Sequence, residues 1–135
     1  MSTNSWQSGF FLVLVVAALT GCSGSKPTPV HGKVTLSDGT PVVGATVVFD
    51  DPEKHIRSSG MTQSDGSYSL RTPQAGDGAE VGRYKVTVHQ PLAADSRQPP
   101  QPSVFHPRYE SSAKSGLEYT VKKGDNVYDV KLDKP

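Results

Sequence analysis

The residues of this chain that could carry chemistry are few. One cysteine, Cys22, closes the run Leu19-Thr20-Gly21-Cys22, and four histidines stand far apart at His31, His55, His89 and His106. A lone thiol has no disulfide partner within its own chain. The spacings contain no H-x-H, no H-E-x-x-H and no cysteine–histidine pair that would set two ligands on one metal. No G-x-S-x-G elbow presents a serine nucleophile. His31 and His89 alternate with apolar neighbours, which puts them on solvent faces. What remains is one reactive sulfur and a scatter of carboxylates. Neither an enzyme activity nor a cofactor is expected.

The setting of that sulfur gives it a use. Phe10 to Leu19 is ten apolar residues without a charge, the length of a signal-peptide core. A membrane-spanning helix needs about 20, and Ser23-Gly24-Ser25-Lys26-Pro27 stops the run. The segment before it carries no Lys or Arg, so the terminal amine alone supplies positive charge. A buried core helix is the competing reading, but it would have no polar face, no cap and no partner helix. Leu19-Thr20-Gly21-Cys22 resembles the lipobox of bacterial lipoprotein precursors. That resemblance implies acylation of the Cys22 thiol, with palmitate-type chains, and cleavage just before it. Residues 1–21 are then a signal peptide. A thioether-linked lipid also accounts for an odd cysteine outside the cytoplasm. Each buried methylene contributes about 0.8 kcal/mol, so two or three acyl chains hold the protein permanently.

Residues 22–29 read as a tether. Ser23 to Pro29 has nothing to bury and spans at most about 23–25 Å when stretched. In the lipoproteins this resembles, Asp after the cysteine retains the protein at the inner membrane. Ser23 therefore implies sorting to the outer membrane.

Residues 30–135 suffice for one domain and are too few for two. Fourteen basic and thirteen acidic residues nearly cancel, so no nucleic-acid footprint exists. Lys122-Lys123 is the only adjacent basic pair and reads as a solvated turn.

The periodicity is that of strands. Val30, Val34 and Leu36 alternate with polar neighbours, as do Tyr84, Val86 and Val88, then Leu117, Tyr119 and Val121, then Tyr128, Val130 and Leu132. Ala45 to Phe49 is apolar on both faces and predicts a central strand. Arg57–Thr62 and Ser67–Leu70 are shorter candidates. Asp38-Gly39, Asp65-Gly66 and Gly124-Asp125 punctuate these runs with turn chemistry. About seven short strands so punctuated predict an all-β, antiparallel β-sandwich. Phe49, Tyr68, Tyr84, Tyr119 and Tyr128 belong to its core or core edge.

Three segments carry a family resemblance. Val30-His31-Gly32-Lys33-Val34 with Asp38-Gly39-Thr40-Pro41-Val42-Val43-Gly44-Ala45-Thr46-Val47 is similar to the opening of carboxypeptidase regulatory-like domains. Thr62-Gln63-Ser64-Asp65-Gly66-Ser67-Tyr68-Ser69-Leu70 resembles their T-x-x-D-G-x-Y-x-L turn and strand. Gly82-Arg83-Tyr84-Lys85-Val86 resembles their G-x-Y-x-V strand. The ending resembles small bacterial lipoproteins made of this one domain. The resemblance implies a transthyretin-like (prealbumin-like) sandwich of seven strands and an accessory module without catalysis. Two enzyme groups on related sandwiches do not fit: the chain lacks a terminal Tyr-Arg-Gly-Ser, and it lacks the paired histidines of an iron site built from two Tyr and two His.

Two regions invite sharper expectations. Antiparallel succession brings alternate connections to one end, and these hold Asp50, Asp51 and Glu53, then Asp77 and Glu80, then Asp125. Converging carboxylates need solvent or a hard cation such as Ca²⁺; the competing reading is turn-forming, solubilising acids. At the opposite end, the long connection from Gln90 to Gly116 holds five of the eleven prolines. A connection of this length is functional or disordered. Phe105, His106, Arg108 and Tyr109 form its candidate partner-contact surface, although Phe105 and Tyr109 can instead cap the sandwich edge.

The sequence thus predicts a lipid-anchored lipoprotein of the bacterial cell envelope with a structural or binding role. Its partners are the membrane and an envelope protein or glycan. Carbohydrate or peptide binding, and regulation of an envelope peptidase, are the alternatives.

Overall fold

The computed structural model describes residues 26–73, 76–92 and 97–135. The expected signal peptide, the lipobox and Cys22 lie outside the described residues.

The domain is a two-sheet β-sandwich. Its strands are β1 (Val30–Leu36), β2 (Thr46–Asp51), β3 (Ile56–Met61), β4 (Ser67–Ser69), β5 (Arg71–Thr72), β6 (Gly76–Asp77), β7 (Gly82–His89), β8 (Leu117–Val121), β9 (Asn126–Val127) and β10 (Val130–Leu132). A short 3₁₀ turn, Pro107–Glu110, precedes β8. One sheet has the order β6-β5-β3-β2-β7-β8. In the other, β1 lies between β4 and the pair β9 and β10.

Each sheet follows from its residues. Val47 and Phe49 of β2 point into the core, while Val48 on the outer face is covered across from Thr87. This two-sided burial puts Ala45–Phe49 at a central position, as its composition predicts. Val34, Leu36, Tyr68, Leu70, Tyr84, Val86, Val130 and Leu132 complete the core from both sheets. Phe49 packs its ring 5.8 Å from Tyr84 and 6.0 Å from both Tyr119 and Tyr128. Tyr119 and Tyr128, 4.7 Å apart, close the side where β8 faces the β9–β10 edge.

One detail differs from the expected all-antiparallel pairing and another from the expected tether. β9 and β10 both run parallel to β1, because the chain reaches them from the β8 side and not by a hairpin. Between them the ladder breaks at Tyr128-Asp129, and Asp129 Oδ1 accepts the Lys33 N–H at 2.9 Å in place of a backbone carbonyl. The tether is also shorter than expected. Thr28 already bridges Ala79, with N–H···O bonds of 2.8 and 3.0 Å in the two directions, because buried Ala79 leaves a free backbone edge there.

Candidate functional site

The residues that carry the family resemblance do structural work throughout. Thr62 clamps the start of β2: its hydroxyl accepts the Ala45 N–H at 2.9 Å, and its own N–H reaches the Ala45 carbonyl. Asp65 Oδ1 accepts the Ser67 N–H at 3.0 Å, closing the turn. Gly66, at φ +79°, leaves room for the Val34 carbonyl, where a side chain would collide. Tyr68 and Tyr84 are buried rings whose hydroxyls donate to the carbonyls of Tyr128 and Glu80, at 2.6 and 2.9 Å. Burial pushes the Tyr84 phenol up to about 12, with Asp51 and Glu80 adding to the effect. Burial raises Tyr68 further still.

The acidic end exists as a place but not as a cluster. Lys54 Nζ donates to the Val81 carbonyl at 2.9 Å, and Thr28 joins Ala79 to the Lys122 carbonyl, so the turns at 52–55, 78–81 and 122–125 share one end. Their carboxylates are engaged separately. Buried Asp51 accepts the N–H groups of Glu53 and Lys54 through Oδ1, at 2.9 and 3.0 Å. That turn leaves His55 at φ 56°. Glu53 lies near Arg83, whose guanidinium donates to Glu118 at 2.6 Å. Asp77 accepts from Arg71 at 2.7 Å, and Asp50 lies 3.5 Å from Arg57. Asp125 sits 3.3 Å from His31 Nε2, off the line of a hydrogen bond. Among the described residues no three His, Cys, Asp or Glu side chains gather as a metal site. The expected Ca²⁺ ligands Asp51, Glu53, Asp77, Glu80 and Asp125 are therefore not brought together. A backbone turn or a basic neighbour takes up most of these carboxylates first.

The same end holds a polar hub that the sequence did not single out. Asn126 is buried, and its side-chain amide donates toward Thr28 Oγ1 and the carbonyls of Pro29, Lys122 and Gly124, at 2.8–3.3 Å. Its Oδ1 accepts the Lys122 N–H at 2.9 Å. One side chain thus fixes both the turn after β8 and the point where the N-terminal segment leaves the sandwich.

The candidate partner-contact surface requires a correction. Phe105 and Tyr109 are core residues, 0% and 3% exposed. They are held there because the long connection folds back on itself. Gln90 donates through its side chain to the Phe105 carbonyl and accepts the Val104 N–H, each at 2.9 Å. Asp133 binds the Tyr109 hydroxyl at 2.9 Å and the Arg108 guanidinium, which lies over the Tyr109 ring at 4.7 Å. His106 caps the 3₁₀ turn through Nδ1. Only His106 and Arg108 of the four remain exposed. The turn packs on β7.

An open groove of about 900 Å³ lies where the chain crosses between sheets from β4 to β5. Pro29, His31, Met61, Arg71, Asp77 and Asp125 are among its lining residues. Asp51 and Glu53 line a separate hollow of about 330 Å³ with Lys54 and Arg83.

Comparison with known proteins adds the fold. No family model matches the chain, and no curated protein matches it. A DUF3823 family protein from Parabacteroides merdae is similar in structure, with a TM-score of 0.50 and 16% identity. The similarity covers 80% of this chain and 46% of that one, so this chain spans about half the length of its structural neighbour. A catechol 1,2-dioxygenase from an Acinetobacter species is a weaker match, with a TM-score of 0.42 and 15% identity over 85% of this chain and 55% of that one. At these identities the first similarity speaks for the β-sandwich alone.

Proposed function

We propose that this chain is a bacterial envelope lipoprotein, lipidated at Cys22. In this reading its carboxypeptidase regulatory-like sandwich has a structural or binding role without catalysis. The observation that carries the reading is Leu19-Thr20-Gly21-Cys22 at the end of ten uncharged apolar residues. Three further observations support it. The single cysteine has no disulfide to make. The signature positions from Thr62 to Leu70 and from Gly82 to Val86 are occupied with packing and turn closure. None of the four histidines sits with two other metal-binding side chains among the described residues. The address proposed is the outer membrane, from Ser23 after the cysteine.

The intact mass of the mature N-terminus is the test. A mass beginning at Cys22 with added acyl chains is expected. A Cys22→Ala protein should be uncleaved or released from membranes while its sandwich still folds. Normal cleavage and continued membrane partitioning of that variant would overturn the reading.

A second reading, a carbohydrate- or peptide-binding module, is favoured by the open groove near His31 and Arg71. Glycan-array and peptide-library binding by the mature protein tests it, and silence in both counts against it. Regulation of an envelope peptidase rests on the family resemblance alone.

A further inference from the structure

Resting on the anchoring reading above, we infer that the end of the sandwich carrying Thr28 and the 122–125 turn is its membrane-docking face. There Lys26, Lys122 and Lys123 lie against anionic phospholipid headgroups, and the opposite end projects away from the bilayer.

The geometry begins with the exit point of the chain. Thr28 is bonded to Ala79 in both directions, its hydroxyl donates to the Lys122 carbonyl, and Asn126 grips Pro29. From Cys22 to Thr28 six residues span at most about 20–22 Å, and about 13 Å is the root-mean-square length of a coil of that many residues. At the coil length the acyl chains lie nearer this end than the other. β1 runs from Val30 beside the exit to Leu36, which adds about 20 Å before the turn at 37–40. The turn at 64–66 shares that far end through the bond from Val34 N–H to the Gly66 carbonyl. Headgroup charges are screened over about 8 Å, so they act on the near end and not on the far one.

The near end has the charge for this contact. Lys26, Lys122 and Lys123 are exposed, and among the described residues none pairs with a carboxylate. Of the neighbouring acids, Asp51 is committed to its own turn and Asp77 to Arg71, while Asp125 and Glu53 stay exposed. Glu80 is half-buried. Three exposed lysines against Asp125 and Glu53 leave the surface around the tether cationic on balance, which suits an anionic lipid surface.

The test uses the full lipidated chain in vesicles of phosphatidylcholine with or without phosphatidylglycerol. Single cysteines at exposed sites, Glu53→Cys and Lys123→Cys at the near end and Ser37→Cys and Ser64→Cys at the far end, carry a fluorophore. Nitroxide on the lipid headgroups quenches it. Quenching several-fold stronger at 53 and 123 than at 37 and 64 is expected, and Lys26→Glu with Lys122→Glu should reduce the added quenching at 53 that phosphatidylglycerol brings. Equal quenching at both ends, or stronger quenching at 37 and 64, overturns the orientation. No effect of phosphatidylglycerol or of the charge reversal overturns the role of the lysines. Vesicle flotation of the same samples separates the two readings. Protein that does not float overturns the anchoring and this inference with it; protein that floats without end-specific quenching overturns this inference alone.

Discussion

The hydroxyl of Tyr68 donates at 2.6 Å to the backbone carbonyl of Tyr128, and that same carbonyl lies over Gly32, where a Cβ would collide with it. The ladder on β1 is interrupted at Tyr128-Asp129, so this carbonyl turns inward and needs a donor from the core. Tyr68→Phe leaves it unsatisfied and should cost about 1–2 kcal/mol. Gly32→Ala forces backbone apart and should cost about 3 kcal/mol. Urea unfolding checks both through the midpoint at constant slope. A neutral Gly32→Ala would mean that the close approach does not exist in solution.

Asn126 satisfies the tether exit and the 122–125 turn together, so its replacement strands several backbone groups at once. Asn126→Ala should lower stability by about 2–4 kcal/mol. Asn126→Asp should be as damaging at neutral pH, since a carboxylate would face the carbonyls of Pro29, Lys122 and Gly124. Part of that loss should return as the pH falls and the acid is protonated. Equal stability of Asn126→Asp at pH 7 and pH 4 would count against this arrangement.

The tyrosines set an alkaline limit. In the unfolded chain a phenol ionises near 10, whereas burial holds Tyr84 protonated up to about 12 and holds Tyr68 and Tyr128 above their ordinary range too. Above pH 10 the folded state therefore binds more protons than the unfolded one. Stability is fully present below that pH and falls as pH rises through the folded values. Urea midpoints measured from pH 8 upward should stay flat to about 10 and then drop. Tyr84→Phe should make the drop shallower. An identical alkaline limb in that variant would refute the assignment.

Among the described residues, the acids at the tether end do not gather three to one place. Millimolar Ca²⁺ should not move the thermal midpoint, because a ligand stabilises only what it binds. A rise of several degrees, abolished by Asp51→Asn, would show that these carboxylates can converge after all.

The fold was legible where one residue type does one thing. The two-sided apolar run at Ala45–Phe49 could only be central, and Asp65-Gly66 could only turn. The sharing of ends by the acidic connections was legible for the same reason, since strand direction dictates it. What the acids do at that end was not, because a carboxylate accepts a backbone N–H, a guanidinium or a metal with equal readiness in one dimension. Asn126 and Gln90 carried no signal at all. An amide that binds backbone carbonyls acts through position, and nothing in its neighbours along the chain marks it. The parallel pairing of β9 and β10 was hidden because the alternation of Tyr128, Val130 and Leu132 marks a buried face and carries no strand direction.

The long proline-rich connection divides into a part that stabilises and a part that does not. Phe105 is fully buried against Tyr109, with ring centroids 6.4 Å apart, and is tied down by Gln90. Leu92, in the same connection, is 89% exposed. Composition alone gives no reason to separate them, since both are large apolar residues in one loop. Burial does. Phe105→Ala removes a ring from the core and should cost about 3–5 kcal/mol, and Leu92→Ala should change stability by less than about 0.5 kcal/mol. Asp133→Ala should fall between them, because it frees the Tyr109 hydroxyl and the Arg108 guanidinium without opening a cavity. Thermal and urea unfolding of the three variants would establish the order. If Phe105→Ala proved as mild as Leu92→Ala, the fold-back would not be part of the native core, and Phe105 would again be available to a partner.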